Sequence, residues 1–142
     1  MRTLIGCLIL LACFACEDKK ITSRSENDLD AARNYIQAVL SNDFKKAGQY
    51  MVDDSLNRTY LDSIARVFGR FDAQTLEKYR GASIQIHPPV TNLNDSTTRV
   101  IYSNSYTKTY DTLQVLRRKD NWLVDLKNPS RPKTDSIQNT PK

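Results

Sequence analysis

In Gly81-Ala82-Ser83-Ile84-Gln85-Ile86-His87-Pro88-Pro89 the apolar residues recur at every second position. Ala82, Ile84 and Ile86 fall on one side of an extended chain and Ser83, Gln85 and His87 on the other, which is the period of a half-buried strand. Pro88-Pro89 lacks backbone donors and is expected to end regular pairing. Upstream of Gly81 the period is helical. Leu29, Ala32, Ile36, Val39 and Leu40 make one buried stripe, leaving Arg33, Asn34 and Gln37 to water. Ser25 with Asp28 approximates a capping box ahead of this stripe. Ser41-Asn42-Asp43 breaks it, and Asp43 can cap a short second helix carrying Phe44, Ala47 and Met51. Asp53-Asp54-Ser55 repeats the capping chemistry before Leu56, Tyr60, Leu61, Ile64, Val67 and Phe68, and Gly69 is a natural stop. A further helical turn is expected from Asp72 to Arg80, with Leu76 and Tyr79 inward.

Downstream, Asn92-Leu93-Asn94-Asp95 reads as a turn, followed by a strand with Val100 and Tyr102 on one face and Ile101 on the other. A third strand spans about Tyr110 to Arg118, with Leu113 and Val115 aligned. Lys119-Asp120-Asn121 is a tight turn, and Trp122, Val124 and Leu126 form the inward face of a last strand. Helices come first and an antiparallel sheet of about four strands second. That segregation is an α+β fold, with the N-terminal helices packed on the sheet.

The first residues read as an address. Met1-Arg2-Thr3 carries one positive charge, Leu4 to Ala15 is uncharged, and charge returns at Glu17-Asp18-Lys19-Lys20. Twelve apolar residues fall short of the ~20 that span a hydrocarbon core, so the pattern is that of a cleaved signal. Cys16 at the boundary resembles the lipobox cysteine of bacterial lipoproteins. In that family the thiol receives a diacylglycerol, the signal is cut before the cysteine, and the new amine is commonly acylated. Cys13, preceded by Leu10-Leu11-Ala12, is the alternative lipidation site. Cutting there would leave Phe14-Ala15 exposed ahead of the polar chain, which favours Cys16. The resemblance implies attachment to a membrane of the bacterial cell envelope, with leaflet and face open. No cysteine would then remain in the folded region for a disulfide or a metal site.

The 142 residues suffice for one modest domain. The organisation expected is a signal peptide over residues 1–15, a lipid-anchored tether over 16–25, an α+β domain over 26–126 and a disordered basic tail over 127–142. The net charge of +5 is unevenly placed. Arg2 contributes one, and the tail contributes three through Lys127, Arg131, Lys133 and Lys142 against Asp135. One remains for the rest of the chain. A nearly neutral domain lacks the basic stripe that nucleic acid requires, so no nucleic-acid partner is expected. The tail could contact an anionic surface.

Ala32-Arg33-Asn34-Tyr35-Ile36-Gln37-Ala38-Val39-Leu40, Asn42-Asp43-Phe44-Lys45-Lys46-Ala47 and Asp111-Thr112-Leu113-Gln114-Val115 with Asn121-Trp122-Leu123-Val124-Asp125-Leu126 resemble nuclear transport factor 2-like domains. The resemblance is to the cystatin-like cone found, without assigned function, in small bacterial lipoproteins, and it covers about residues 27 to 126. It implies a curved, cone-shaped sheet wrapped around the first long helix, with a conical cavity that some members use for ligands or catalysis. Cone mouths pair in many relatives, so a dimer is open.

Candidate chemistry is sparse. His87 is the sole histidine, so paired His ligation is excluded and no metal site or cofactor is expected. Its place on the polar strand face before Pro88 predicts an exposed edge. Asp53-Asp54 reads as a pair of cap residues before it reads as a general base. Tyr102, Asn104 and Tyr106 share one strand face if pairing is regular. Tyr102 and Asn104, with Trp122, are the ligand-binding candidates, although Trp122 also suits a core plug against the first helix. Arg117-Arg118-Lys119 reads as a solvated hairpin end. There is no P-loop, dinucleotide fingerprint or nucleophile elbow, and no catalytic residue is assigned. These readings favour a noncatalytic, membrane-anchored binding or interaction module with an envelope protein or a small molecule as partner. The alternatives are a small acid/base enzyme using the cone, with an Asp near Asp53 or Asp54 and Tyr102 as actors, and a structural or assembly protein docking through its tail.

Overall fold

The computed structural model describes residues 24–127. Cys13, Cys16, the signal, most of the tether and the tail beyond Lys127 lie outside the described residues. Four α-helices precede four strands: α1 (Asp28–Leu40), α2 (Phe44–Ala47), α3 (Ser55–Phe68), α4 (Ala73–Arg80), β1 (Ile84–Asn94), β2 (Thr97–Asn104), β3 (Asp111–Arg118) and β4 (Asn121–Asp125). A 3₁₀ turn, Gly48–Tyr50, follows α2. The α+β class expected from the change of period is therefore the observed one.

Each helix begins at a short polar side chain that accepts a hydrogen bond from a first-turn amide. Asn27 accepts from Asp30, Asp43 from Lys46, Asp54 from Asn57 and Asp72 from Thr75. Such a bond satisfies an amide that has no partner within the helix, and each cap is worth about 1 kcal/mol. Two of the four, Asp43 and Asp54, follow the sequence reading, and Asp72 caps the helix expected from Asp72 to Arg80 without having been read as a cap. The first does not: Asn27, not Ser25, caps α1. Ser25 is instead buried, and its backbone N–H donates to Asn121 Oδ1 at 2.9 Å, which ties the start of the described chain to the β3–β4 hairpin.

The sheet is an antiparallel meander in the order β1-β2-β3-β4. Val100 lies opposite Leu113, and Val115 lies opposite both Thr98 and Val124. These residues are almost wholly buried. Across them runs α1, which meets all four strands. Ala31, Ala32 and Ala38 bring its backbone close to the sheet, while Tyr35, Ile36 and Leu40 fill the remaining space. The buried face of α1 is broader than the stripe read from the sequence, because Ala31, Tyr35 and Ala38 are also inside.

β1 departs from expectation. Pro88-Pro89 does not end it; the strand runs on to Asn94 with its register interrupted between His87 and Thr91. The reason is position in the sheet. β1 is an edge strand whose outer side needs no amide donors, so proline is tolerated where a central strand would reject it. The turn accordingly falls at Asp95-Ser96, with Asn94 Oδ1 accepting from Ser96 N–H at 3.0 Å. At the other edge, Met51 bridges in parallel to Val124, and Val52 N–H donates to the Val124 carbonyl at 2.8 Å. The segment entering α3 thus covers part of β4.

A second apolar layer closes one end of the domain. Phe44, Phe68, Phe71, Tyr79 and Tyr106 form a chain of ring contacts with centroids 4.9 to 5.5 Å apart. It joins α2, α3, α4 and the β2–β3 loop. Burial, reinforced by Tyr106, raises the phenol pKa of Tyr79.

Candidate functional site

The three residues singled out as ligand contacts lie on the helix-covered side of the sheet but not together. Tyr102 stands opposite Asp111 at one end of β3, and Trp122 stands opposite Arg117 at the other. Six residues of strand separate those positions, roughly 20 Å. The Tyr102 hydroxyl donates to Asp111 Oδ2 at 3.1 Å. Asn104 ends β2 and organises the loop beyond it: Oδ1 accepts from the amides of Tyr106 and Thr107, and Nδ2 donates to Thr107 Oγ1 at 3.0 Å. Because the strand stops there, Tyr106 lies in the loop and not on the strand face it would share with Tyr102 and Asn104 under regular pairing. Trp122 is half-buried and packs against the core cluster.

On the opposite face His87 differs from its expected exposure. It is half-buried, its Nε2 lies 2.7 Å from Ser103 Oγ, and its ring sits 4.5 Å from that of Tyr110. A base beside a hydroxyl is the first half of a nucleophilic pair. Among the described residues, however, no hydrogen bond orients the other imidazole nitrogen, and Ser103 is buried. The pair acts as a tie between β1 and β2.

The densest polar cluster was not apparent from the sequence. Asn57, in the first turn of α3, is fully buried. Its Nδ2 donates to Asp54 Oδ2 at 3.1 Å and to Asp125 Oδ1 at 3.2 Å, and its Oδ1 accepts from Leu126 N–H at 2.7 Å. Lys127 Nζ donates to Asp54 Oδ2 at 2.6 Å, and Lys127 N–H donates to Asp125 Oδ1 at 3.1 Å. Asp54 is therefore both helix cap and ion-pair partner. The neighbouring Asp53 forms a salt bridge with Arg58. The only local signal for this cluster was the capping pattern at Asp54.

The amide of Asn57 and the Lys127 ammonium hold the Asp54 carboxyl down at about 2, from an ordinary value of 3.8. Since the folded value is the lower one, the stabilisation is complete above 3.8 and is lost as pH falls toward about 2. Asp72 is lowered in the same direction by the Thr75 amide. Asp54→Asn keeps a capping oxygen but removes the charge. It is expected to flatten, without abolishing, the loss of stability in this acid window. Urea unfolding at several pH values checks this; an unchanged slope would refute it.

Beside the β3–β4 hairpin, two adjoining clefts share Arg24 and Asp120. One is lined also by Ser25 and Glu26, the other by Arg118, Lys119, Asn121 and Leu123. The sequence reading left Arg118 and Lys119 as a solvated turn and Arg24 as tether; the Ser25–Asn121 bond brings them to one place. Among the described residues, no group of three or more His, Cys, Asp and Glu side chains is arranged to hold a metal ion. None of the described helices is long and apolar enough to cross a membrane. No protein family, curated protein or solved structure matches the chain.

Proposed function

We propose that this chain is a small bacterial envelope lipoprotein, cut before Cys16 and acylated there, whose cone-like, nuclear transport factor 2-like domain serves as a noncatalytic binding or interaction module. The observation that carries the reading is the run from Leu4 to Ala15, ended by Cys16 and followed at once by Glu17-Asp18-Lys19-Lys20. Each buried CH₂ of an acyl chain contributes ~0.8 kcal/mol, so two or more chains hold a protein on a bilayer where one does so only marginally. Two features of the domain support the remainder. The long helix α1 lies across all four strands, as a sheet wrapped on its first helix requires. The face between them is occupied by Val100, Leu113, Val115 and Val124 against Ala31, Ala32, Tyr35 and Ile36, none of which is a carboxylate, an imidazole or an amine.

Intact-mass analysis of the native product tests the anchor. The expected product begins at Cys16 with a diacylglyceryl thioether; Cys16→Ser abolishes the added mass, while Cys13→Ser leaves it. Unmodified sulfur at both positions, with the leader retained, would overturn the anchor. Crosslinking and capture from envelopes with the intact domain test the binding role, and recovery of nothing above background would count against it.

A further inference from the structure

The two clefts at the β3–β4 hairpin sort charge by sign. Glu26 and Asp120 line the first, and Arg118 and Lys119 line the second, with Arg24 and Asp120 common to both. Among the described residues, none of Arg24, Arg118 and Lys119 forms an ion pair. Ser25, a residue only 2% exposed, lines the first cleft.

From these features we infer that the paired clefts bind a phosphate ester carrying a primary ammonium, the chemistry of a phosphoethanolamine headgroup. The phosphate sits among Arg118, Lys119 and Arg24, whose donors suit its oxygens. The ammonium enters the first cleft, where the Glu26 and Asp120 carboxylates accept from its N–H donors. A purely anionic ligand would face Glu26 and Asp120 without compensation. A trimethylated ammonium would bring no N–H donor to those carboxylates.

The source to which we commit is a membrane lipid, and here the inference rests on the proposed anchor. Arg24 follows Cys16 by eight residues, which span at most ~29 Å when extended. An acylated Cys16 therefore keeps the cleft within reach of the headgroup layer.

The test uses the native processed chain in phosphatidylcholine discs, followed by backbone amide resonances and titrated with soluble phosphoethanolamine, phosphocholine and inorganic phosphate. The expected result is saturable shifts confined to residues 24–26 and 118–121, with phosphoethanolamine binding at least about tenfold tighter than phosphocholine. Arg118→Glu with Lys119→Glu removes the response to every probe, while shifts elsewhere report an intact fold. Glu26→Gln with Asp120→Asn erases the preference for the primary ammonium. Discs containing phosphatidylethanolamine reproduce the shifts without added ligand. No localised response, or equal binding of phosphocholine, overturns the inference. A response to the soluble probe with none in phosphatidylethanolamine discs overturns the lipid source. The mass of Cys16 in the same sample reports on the anchor separately, so an unmodified thiol with a responsive cleft would refute the anchor and leave the cleft standing.

Discussion

Asn57→Ala is expected to lower the free energy of unfolding by roughly 2–4 kcal/mol, a large share of the ~5–15 kcal/mol that holds a domain of this size. The substitution deletes no charge and keeps a helix former in α3, so propensity alone predicts a gain. The loss arises from what Asn57 joins. Its Oδ1 is the acceptor for Leu126 N–H, and its Nδ2 is shared between Asp54 and Asp125. Truncation strands the Leu126 amide in a buried position and leaves two carboxylates facing each other with one donor fewer. Asn57→Asp is expected to be at least as damaging, because it replaces the shared donor with a third negative charge. Urea unfolding followed by the fluorescence of Trp122, the single tryptophan, measures both variants. A change below about 0.5 kcal/mol for Asn57→Ala would show that the cluster contributes little.

Leu113→Ala is expected to destabilise by about 3–4 kcal/mol. Leu113 is 1% exposed, lies opposite Val100 at the centre of the meander and is the largest of the fully buried side chains. It shares the buried cluster with Val100, Val115 and Val124 on the strands and Ala31, Ala32 and Ala38 on α1. Strands fixed by hydrogen-bonded neighbours on both sides relax poorly into a void, which places the cost above that of a bare transfer term. Leu93→Ala provides the contrast. Leu93 is 44% exposed on the edge strand, and its removal is expected to change stability by less than about 0.5 kcal/mol. If the two variants unfold at the same urea concentration, the core assignment fails.

The elements that were readable from the chain were those whose cause is local. Asp43, Asp54 and Asp72 cap helices through amides three residues away, and Gly69 closes α3. The alternation of Val100 and Tyr102 against Ile101 survives in β2, and that of Trp122 and Val124 in β4. The departures have non-local causes. Pro88-Pro89 passes through β1 because that strand is at an edge, and a run of residues does not declare its place in a sheet. Tyr106 leaves the strand face because Asn104 turns the chain with its side chain, accepting from the Tyr106 and Thr107 amides. His87 is half-covered because Ser103 and Tyr110 arrive from another strand and a loop.

By itself, the sequence determined the α+β class, the helix starts after Asp43, Asp54 and Asp72, and the inward faces of the strands, because period and capping act within one or two turns of the same segment. The tertiary structure alone decided that Asn57 is a buried junction for Asp54, Asp125 and Leu126, and that Ser25 joins Arg24 to the β3–β4 hairpin. Those bonds link residues 68, 69 and 96 positions apart. An Asn or a Ser carries the same donors and acceptors in water as in a core, and which of these it meets is set by where the far strand comes to rest.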